Sequence, residues 1–75
     1  MDEYEFDANL DRLGYQLDCT RLSALRARSE YLMLGSAPHI SAAQMASAHA
    51  LWKLLEQRCH SLQRTLAELG AGHAA

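Results

Sequence analysis

Histidine and cysteine are the side chains in this sequence best suited to hold a metal ion or attack a substrate. Zinc-binding histidines on a helix stand three or four residues apart, so that both rings reach one ion. No two of the four histidines have that spacing, and Cys19 and Cys59 lack the C-x-x-C spacing of zinc and redox sites. The histidines are His39, His49, His60 and His73. We therefore predict neither a metal site nor a cofactor.

Covalent catalysis is also not expected. Cys59 falls at a position that helical periodicity predicts to be buried, where thiols are usually inert. The acidic run at the start of the chain is best interpreted as a solubilising charge cluster at a helix N-terminus, with docking to a basic patch on a partner as the alternative. It consists of Asp2, Glu3, Glu5 and Asp7. With no catalytic residues to name, we predict that the protein is not an enzyme.

Composition narrows the class of protein further. The formal net charge of -2 argues against a dedicated nucleic-acid binder. No apolar run approaches the roughly 18 residues of a membrane-spanning helix, and the N-terminus has no apolar signal region. Two cysteines are too few for a disulfide scaffold and suit free thiols in a reducing compartment. We expect a cytoplasmic helical chain with no membrane association.

The stretch "GSAPHISAAQM", residues 35–45, contains the single proline and separates two helical segments. Ser41 followed by Gln44 forms an S-x-x-Q capping box that predicts a helix start, and Ile40 and Met45 occupy the positions of a hydrophobic staple. Upstream, Gly35 can take the left-handed conformation that closes a helix. The stretch is therefore a helix end followed by a capped helix start.

Apolar and small residues recur every three or four positions on both sides of this break, which predicts two helices with a heptad-like seam. We predict helix A over about 9–34, a turn over 35–41, helix B over about 42–69 and a frayed tail over 70–75. The seam of helix A comprises Phe6, Leu10, Leu13, Leu17, Thr20, Ala24, Ala27, Tyr31 and Leu34. The seam of helix B comprises Met45, Ala48, Trp52, Leu55, Cys59, Leu62, Leu66 and Leu69.

A short connection makes the two helices antiparallel neighbours. Pairing Leu34 with Met45 then brings the two seams together along their whole length. In this register Tyr31 faces Ala48 and Trp52 faces Ala27, a large-against-small pairing that suits a packed seam better than an aromatic binding site. The predicted fold is a single all-α domain, an antiparallel two-helix hairpin of coiled-coil type. Asp7 or Asn9 could cap the start of helix A, and a short N-terminal helix or arm remains an open addition.

Six large apolar residues lie outside both seams, in the halves of the helices nearest the turn. A contiguous exposed patch of this kind usually marks an interaction site. The alternative is that Tyr4 and Phe6 fold back over part of it. The predicted partner-binding residues are Leu22, Leu25, Leu32, Met33, Leu51 and Leu54.

From about Leu10 to Leu69 the chain resembles the small two-helix co-chaperones of type III secretion needle subunits. The resemblance is carried by the hairpin and by the break "LGSAPHISAAQ", because these proteins also turn after a glycine and start the second helix near a glutamine. It implies a cytoplasmic co-chaperone that serves virulence. Such a protein binds a larger helical-repeat chaperone, and together they hold the needle subunit unpolymerised until export.

Two other classes of protein remain open from the sequence. A homodimeric coiled-coil adaptor would cover the six apolar residues with a copy of itself. A small DNA-binding regulator would need a basic recognition helix, whereas helix B has a mixed surface and follows a long turn.

Overall fold

The computed structural model describes the backbone of residues 3–74 and the side chains of residues 5–70. Two helices, α1 (Glu3–Leu34) and α2 (Ala42–Ala74), pack against each other as an antiparallel all-α hairpin. At a rise of about 1.5 Å per residue each helix is about 50 Å long, and the molecule measures 56 × 15 × 13 Å. The fold class predicted from the sequence is confirmed.

All residues of the two predicted seams are withdrawn from solvent. Four are buried, and all the others are half-buried. The buried residues are Leu17, Ala24, Ala27 and Leu62. No large side chain among the described residues is fully buried. The core is therefore a single layer between two helices, and one face of each helix holds the fold together.

Helix α1 begins earlier than predicted, at Glu3 instead of about residue 9. Asp7 and Asn9 are consequently inside the helix, and neither caps it. The Asn9 Oδ1 atom instead accepts a hydrogen bond from the Arg12 guanidinium at 3.0 Å. Acidic residues near a helix N-terminus are stabilised by the helix dipole, which explains why Glu3, Glu5 and Asp7 belong to α1 and do not form a separate arm.

Helix α2 continues to Ala74, beyond the predicted end near residue 69. The prediction rested on Gly70, Gly72 and the final alanines, and each glycine costs about 1 kcal/mol relative to alanine within a helix. That cost does not end α2, because the alanines beside the glycines have the highest helix propensity. The predicted frayed tail is thus helical over 70–74, and residue 75 lies outside the described residues.

The turn closes differently from the prediction at Gly35. The Gly35 N–H donates a helical hydrogen bond to the Tyr31 carbonyl at 3.2 Å, and no described glycine has a positive φ. Ser36 then donates to the carbonyl of Met33 at 3.1 Å, so the chain winds on tightly after α1. The left-handed residue is His39, with φ of 64°. The chain reverses just before α2, and histidine is among the residues that tolerate this conformation.

The capping box is confirmed at the start of α2. The Ser41 N–H donates to Gln44 Oε1 at 3.0 Å, and the Gln44 N–H donates to Ser41 Oγ at 3.1 Å. Ile40 and Met45, the predicted staple residues, are both half-buried. The terminal methyl of Met45 also lies 3.9 Å from the place where a Cβ on Gly35 would stand. The first turn of α2 therefore packs against the end of α1.

We expect Ser41→Ala to lower the free energy of unfolding by about 1 kcal/mol, because it removes the side-chain acceptor of the capping box. Urea denaturation followed by circular dichroism measures this loss. Ser47→Ala is the matched control, since Ser47 is an exposed residue inside α2. Equal stability of the two variants would contradict the capping role.

We expect His39→Gly to raise the free energy of unfolding by up to about 1 kcal/mol, because glycine adopts positive φ without steric cost. Ala37→Gly, in the same turn but without a positive φ, should instead leave stability unchanged or lower it. A thermal melt of both variants checks the difference in sign. A destabilised His39→Gly variant would show that the imidazole stabilises the turn more than its conformation strains it.

Candidate docking surface

The six predicted partner-binding residues are all exposed to solvent in the hairpin. Their exposed fractions lie between 48% for Leu51 and 70% for Met33. We call these six residues the docking surface: Leu22, Leu25, Leu32, Met33, Leu51 and Leu54. The proposed fold-back of the N-terminal segment is wrong for Phe6, which lies within α1 at a half-buried seam position. The side chain of Tyr4 lies outside the described side chains.

Tyr15 is a seventh large apolar side chain that is exposed, at 71%, and it was not among the predicted partner-binding residues. It lies seven residues before Leu22, and residues seven apart share one face of a helix. Leu25 and Leu32 have the same spacing. The outer face of α1 therefore carries a second apolar stripe, which the search for off-seam leucines near the turn detected only in part.

Two of the six docking-surface residues, Leu25 and Met33, line separate grooves. Leu25 lines a groove of about 560 Å³ between the two helices, which we call the interhelical groove. Its α1 wall is formed by Arg21, Ala24, Leu25 and Arg28, and its α2 wall by Trp52, Glu56, Cys59, His60 and Gln63. Met33 lines a separate pocket of about 430 Å³ beside the turn, together with Glu30, Leu34 and Ala37. Neither of these two grooves joins all six residues.

Tyr31 and Trp52 form an aromatic cluster with His49. The ring centroids of Tyr31 and Trp52 are 5.6 Å apart, and His49 lies 5.3 Å from Tyr31 and 5.7 Å from Trp52. The predicted register places each large ring opposite an alanine, whereas the structure also brings the rings together across the seam. His49 was missed because it is exposed. Its position one residue after Ala48 was the available signal.

Unpaired positive charge borders the docking surface. Among the described residues, Arg26, Arg28 and Arg58 form no ion pair. Arg21 approaches Asp18 only to 3.9 Å, and both side chains are more than half exposed. An exposed pair of this kind contributes about 0–1 kcal/mol. These arginines are therefore available to acidic groups on a partner.

A closer ion pair lies beside the aromatic cluster. Lys53 Nζ is 3.4 Å from Glu56 Oε2 and 4.3 Å from the centroid of the Trp52 ring. The carboxylate of Glu56 on the α2 wall of the interhelical groove is thus partly neutralised. A ligand in this groove would therefore meet positive charge, which comes from Arg21 and Arg28 of the α1 wall.

The described residues contain no group of histidine, cysteine and carboxylate side chains that could hold a metal ion. Cys19 is exposed, and Cys59 is half-buried in the seam. A hydrogen bond with the Cys19 side chain raises the pKa of the Tyr15 phenol above its ordinary value. Neither helix, over its described residues, has a stretch long and apolar enough to cross a membrane.

Comparison of the chain with protein-family models, with curated proteins and with solved structures finds no match.

We expect Leu62→Ala to lower the free energy of unfolding by about 2–3 kcal/mol, because it leaves a cavity in the single-layer seam. The same change at Leu54, a 63% exposed leucine on the same helix, should alter stability by less than about 0.5 kcal/mol. Urea denaturation of dilute protein measures both. Comparable losses would mean that Leu54 belongs to the core and not to a docking surface.

Proposed function

We propose that the protein is a non-enzymatic helical binding module that covers an apolar helix of a partner protein. The exposure of six large apolar side chains carries this proposal, because the hairpin contains no further element to cover them within its described residues. Contiguous apolar patches on small proteins usually mark interaction sites. Grooves beside helices are a common way of binding a partner's amphipathic helix.

The energetics of a two-helix hairpin support the same proposal. A chain of this size seldom gains more than about 3–5 kcal/mol from its own core. Burying one exposed leucine against a partner contributes about 1.5–3 kcal/mol. Even two or three such contacts are comparable to the stability of the free hairpin. A partner that binds only the folded hairpin would therefore stabilise it considerably.

The more specific form of the proposal follows the resemblance stated above. In it the protein is a cytoplasmic co-chaperone of type III secretion that acts with a helical-repeat chaperone. Its role would be to cover the apolar helix surface through which the needle subunit polymerises, without covalent chemistry. The resemblance in the hairpin and its glycine-containing turn supports this form, and the exposed leucines provide the apolar contact that it requires.

Co-expression with the needle subunit and the helical-repeat chaperone of the same genome tests the proposal. We expect the tagged protein to co-purify with at least one of them. A variant combining Leu32→Asp and Leu54→Asp should lose this complex, because each aspartate places a charge where an apolar partner surface must pack. Both positions are more than half exposed, so helicity by circular dichroism should be preserved.

A double variant of Ser29→Asp and Ser61→Asp is the matched control. It adds the same two charges at exposed polar positions of the two helices, and it should retain the complex. If neither protein co-purifies with the unmodified chain, the secretion proposal is wrong. Unfolding of the Leu32→Asp, Leu54→Asp variant would instead assign these leucines to the core.

A further inference from the structure

Helix α1 carries one pair of acidic residues and one pair of basic residues, and the spacing within each pair is the same. Asp11 and Asp18 are seven residues apart, and so are Arg21 and Arg28. Seven residues are about two helical turns, or about 10.5 Å along the axis. All four side chains are exposed. The acidic pair precedes the basic pair, so the helix is self-complementary in charge when it is placed antiparallel to a copy of itself.

We infer that two copies of the chain associate through antiparallel α1 helices. When Asp18 faces Arg21 of the second copy, the same register brings Asp11 opposite Arg28. The symmetry of the pair repeats both contacts, which gives four opposite-charge pairs about a two-fold axis between Cys19 and Thr20. An interface of this kind, in which one surface meets its own copy, is the commonest type in homodimers.

The apolar side chains on the same face fit this register. Tyr15 and Leu22, at 71% and 67% exposure, come next to each other across the two-fold axis. Leu25, at 60%, comes opposite Gly14 of the second copy, and a Cβ built on Gly14 would have no neighbour within 4 Å. The Leu25 side chain therefore comes next to the open space at Gly14 of the second copy. The stripe that includes the unexpected Tyr15 is covered by a second copy of itself.

The interhelical groove provides the space for the second helix. Segment 11–18 of the second copy lies at the level of residues 21–28, which form the α1 wall of the groove. The two aspartates of this segment then reach Arg21 and Arg28, the basic residues of that wall. A basic wall of this kind is complementary in charge to a helical segment that carries two aspartates.

The charges involved are not committed to strong contacts within one chain. Asp11 and Arg28 form no ion pair among the described residues. They cannot reach each other in one hairpin, because 17 residues of helix separate them by about 25 Å. Within one chain, Asp18 and Arg21 approach each other no closer than 3.9 Å, and both are exposed. Their ion pair contributes little, so its replacement by pairing with a second copy costs little stability.

This inference rests on the proposed function, because it uses part of the docking surface. It assigns that part to a second copy of the chain. The second copy covers Leu22 and Leu25 together with Tyr15. Leu32 lies on the same stripe as Leu25 and belongs to both surfaces, whereas Met33, Leu51 and Leu54 remain for a different partner. The two proposals can be tested separately because the charge-reversal variants change only residues 11 and 28.

Charge reversal tests the pairing and its direction. Asp11→Arg places two arginines opposite each other at both ends of the interface, and Arg28→Glu does the same with two carboxylates. Each variant alone should have a dimer dissociation constant at least about tenfold higher than the unmodified chain, since opposed like charges are strongly unfavourable. Sedimentation velocity over a concentration series measures this.

An equimolar mixture of the two variants is the decisive sample. Every facing pair in the mixed dimer is again of opposite charge, so the mixture should recover the affinity of the unmodified chain. A loss of folding cannot be rescued by mixing, and a parallel arrangement would not place residue 11 opposite residue 28. Circular dichroism of each variant verifies that the hairpin is intact.

A mixture that dimerises no better than its separate components overturns the inference. So does an unmodified chain that remains monomeric at concentrations on the order of 100 μM, the range in which weak interfaces still associate. Failure to capture a chaperone or needle subunit, with the dimer intact, contradicts the proposed function alone. Capture by a strictly monomeric chain contradicts the dimer alone.

Discussion

The contact between two long helices along one seam is the interaction on which the whole structure depends. Each helix has only one partner within the chain, so a narrow stripe of each surface supplies the hydrophobic stabilisation. Leu17 and Leu62 are buried in that stripe, while the larger Tyr31 and Trp52 are only half-buried at its edge. The hairpin holds its geometry with a core that is one side chain deep.

A single-layer core leaves most of each helix available for contacts with other molecules. The outward positions of α1 carry apolar residues that contribute little to its packing on α2, such as Leu22 at 67% exposure. Unpaired arginines lie beside them, so apolar contact and charge recognition are combined on one surface. The proposed self-association and the proposed binding of a partner helix would each cover part of this surface.

The turn determines both which residues pack in the seam and which residues stay exposed. The reciprocal hydrogen bonds of Ser41 and Gln44 set the first residue of α2, and the Met45 side chain packs near the end of α1. Because every later seam residue follows at helical spacing, this boundary sets which residues of α2 face α1 and which face outward. The strained backbone at His39 accompanies the reversal of the chain immediately before the cap.

Local patterns in the sequence determined the two helices, the capping box and both seams, because spacing and capping depend on residues a few positions apart. The exposure of the six off-seam residues followed from the same periodicity. The ends of the helices did not follow from local patterns. The cost of Gly70 is small, and whether it ends a helix depends on the summed helix propensities of its neighbours. The left-handed residue was also misplaced, at Gly35 instead of His39.

Only the tertiary structure decided what lies across the seam and between the helices. The contact of His49 with Tyr31 and Trp52 depends on the relative height and rotation of two helices, which no single-helix pattern specifies. The interhelical groove likewise exists because Ala24 of one helix lies beside the larger side chains of the other. Periodicity identified the buried stripe of each helix, and packing geometry determined the surface that the pair presents to other proteins.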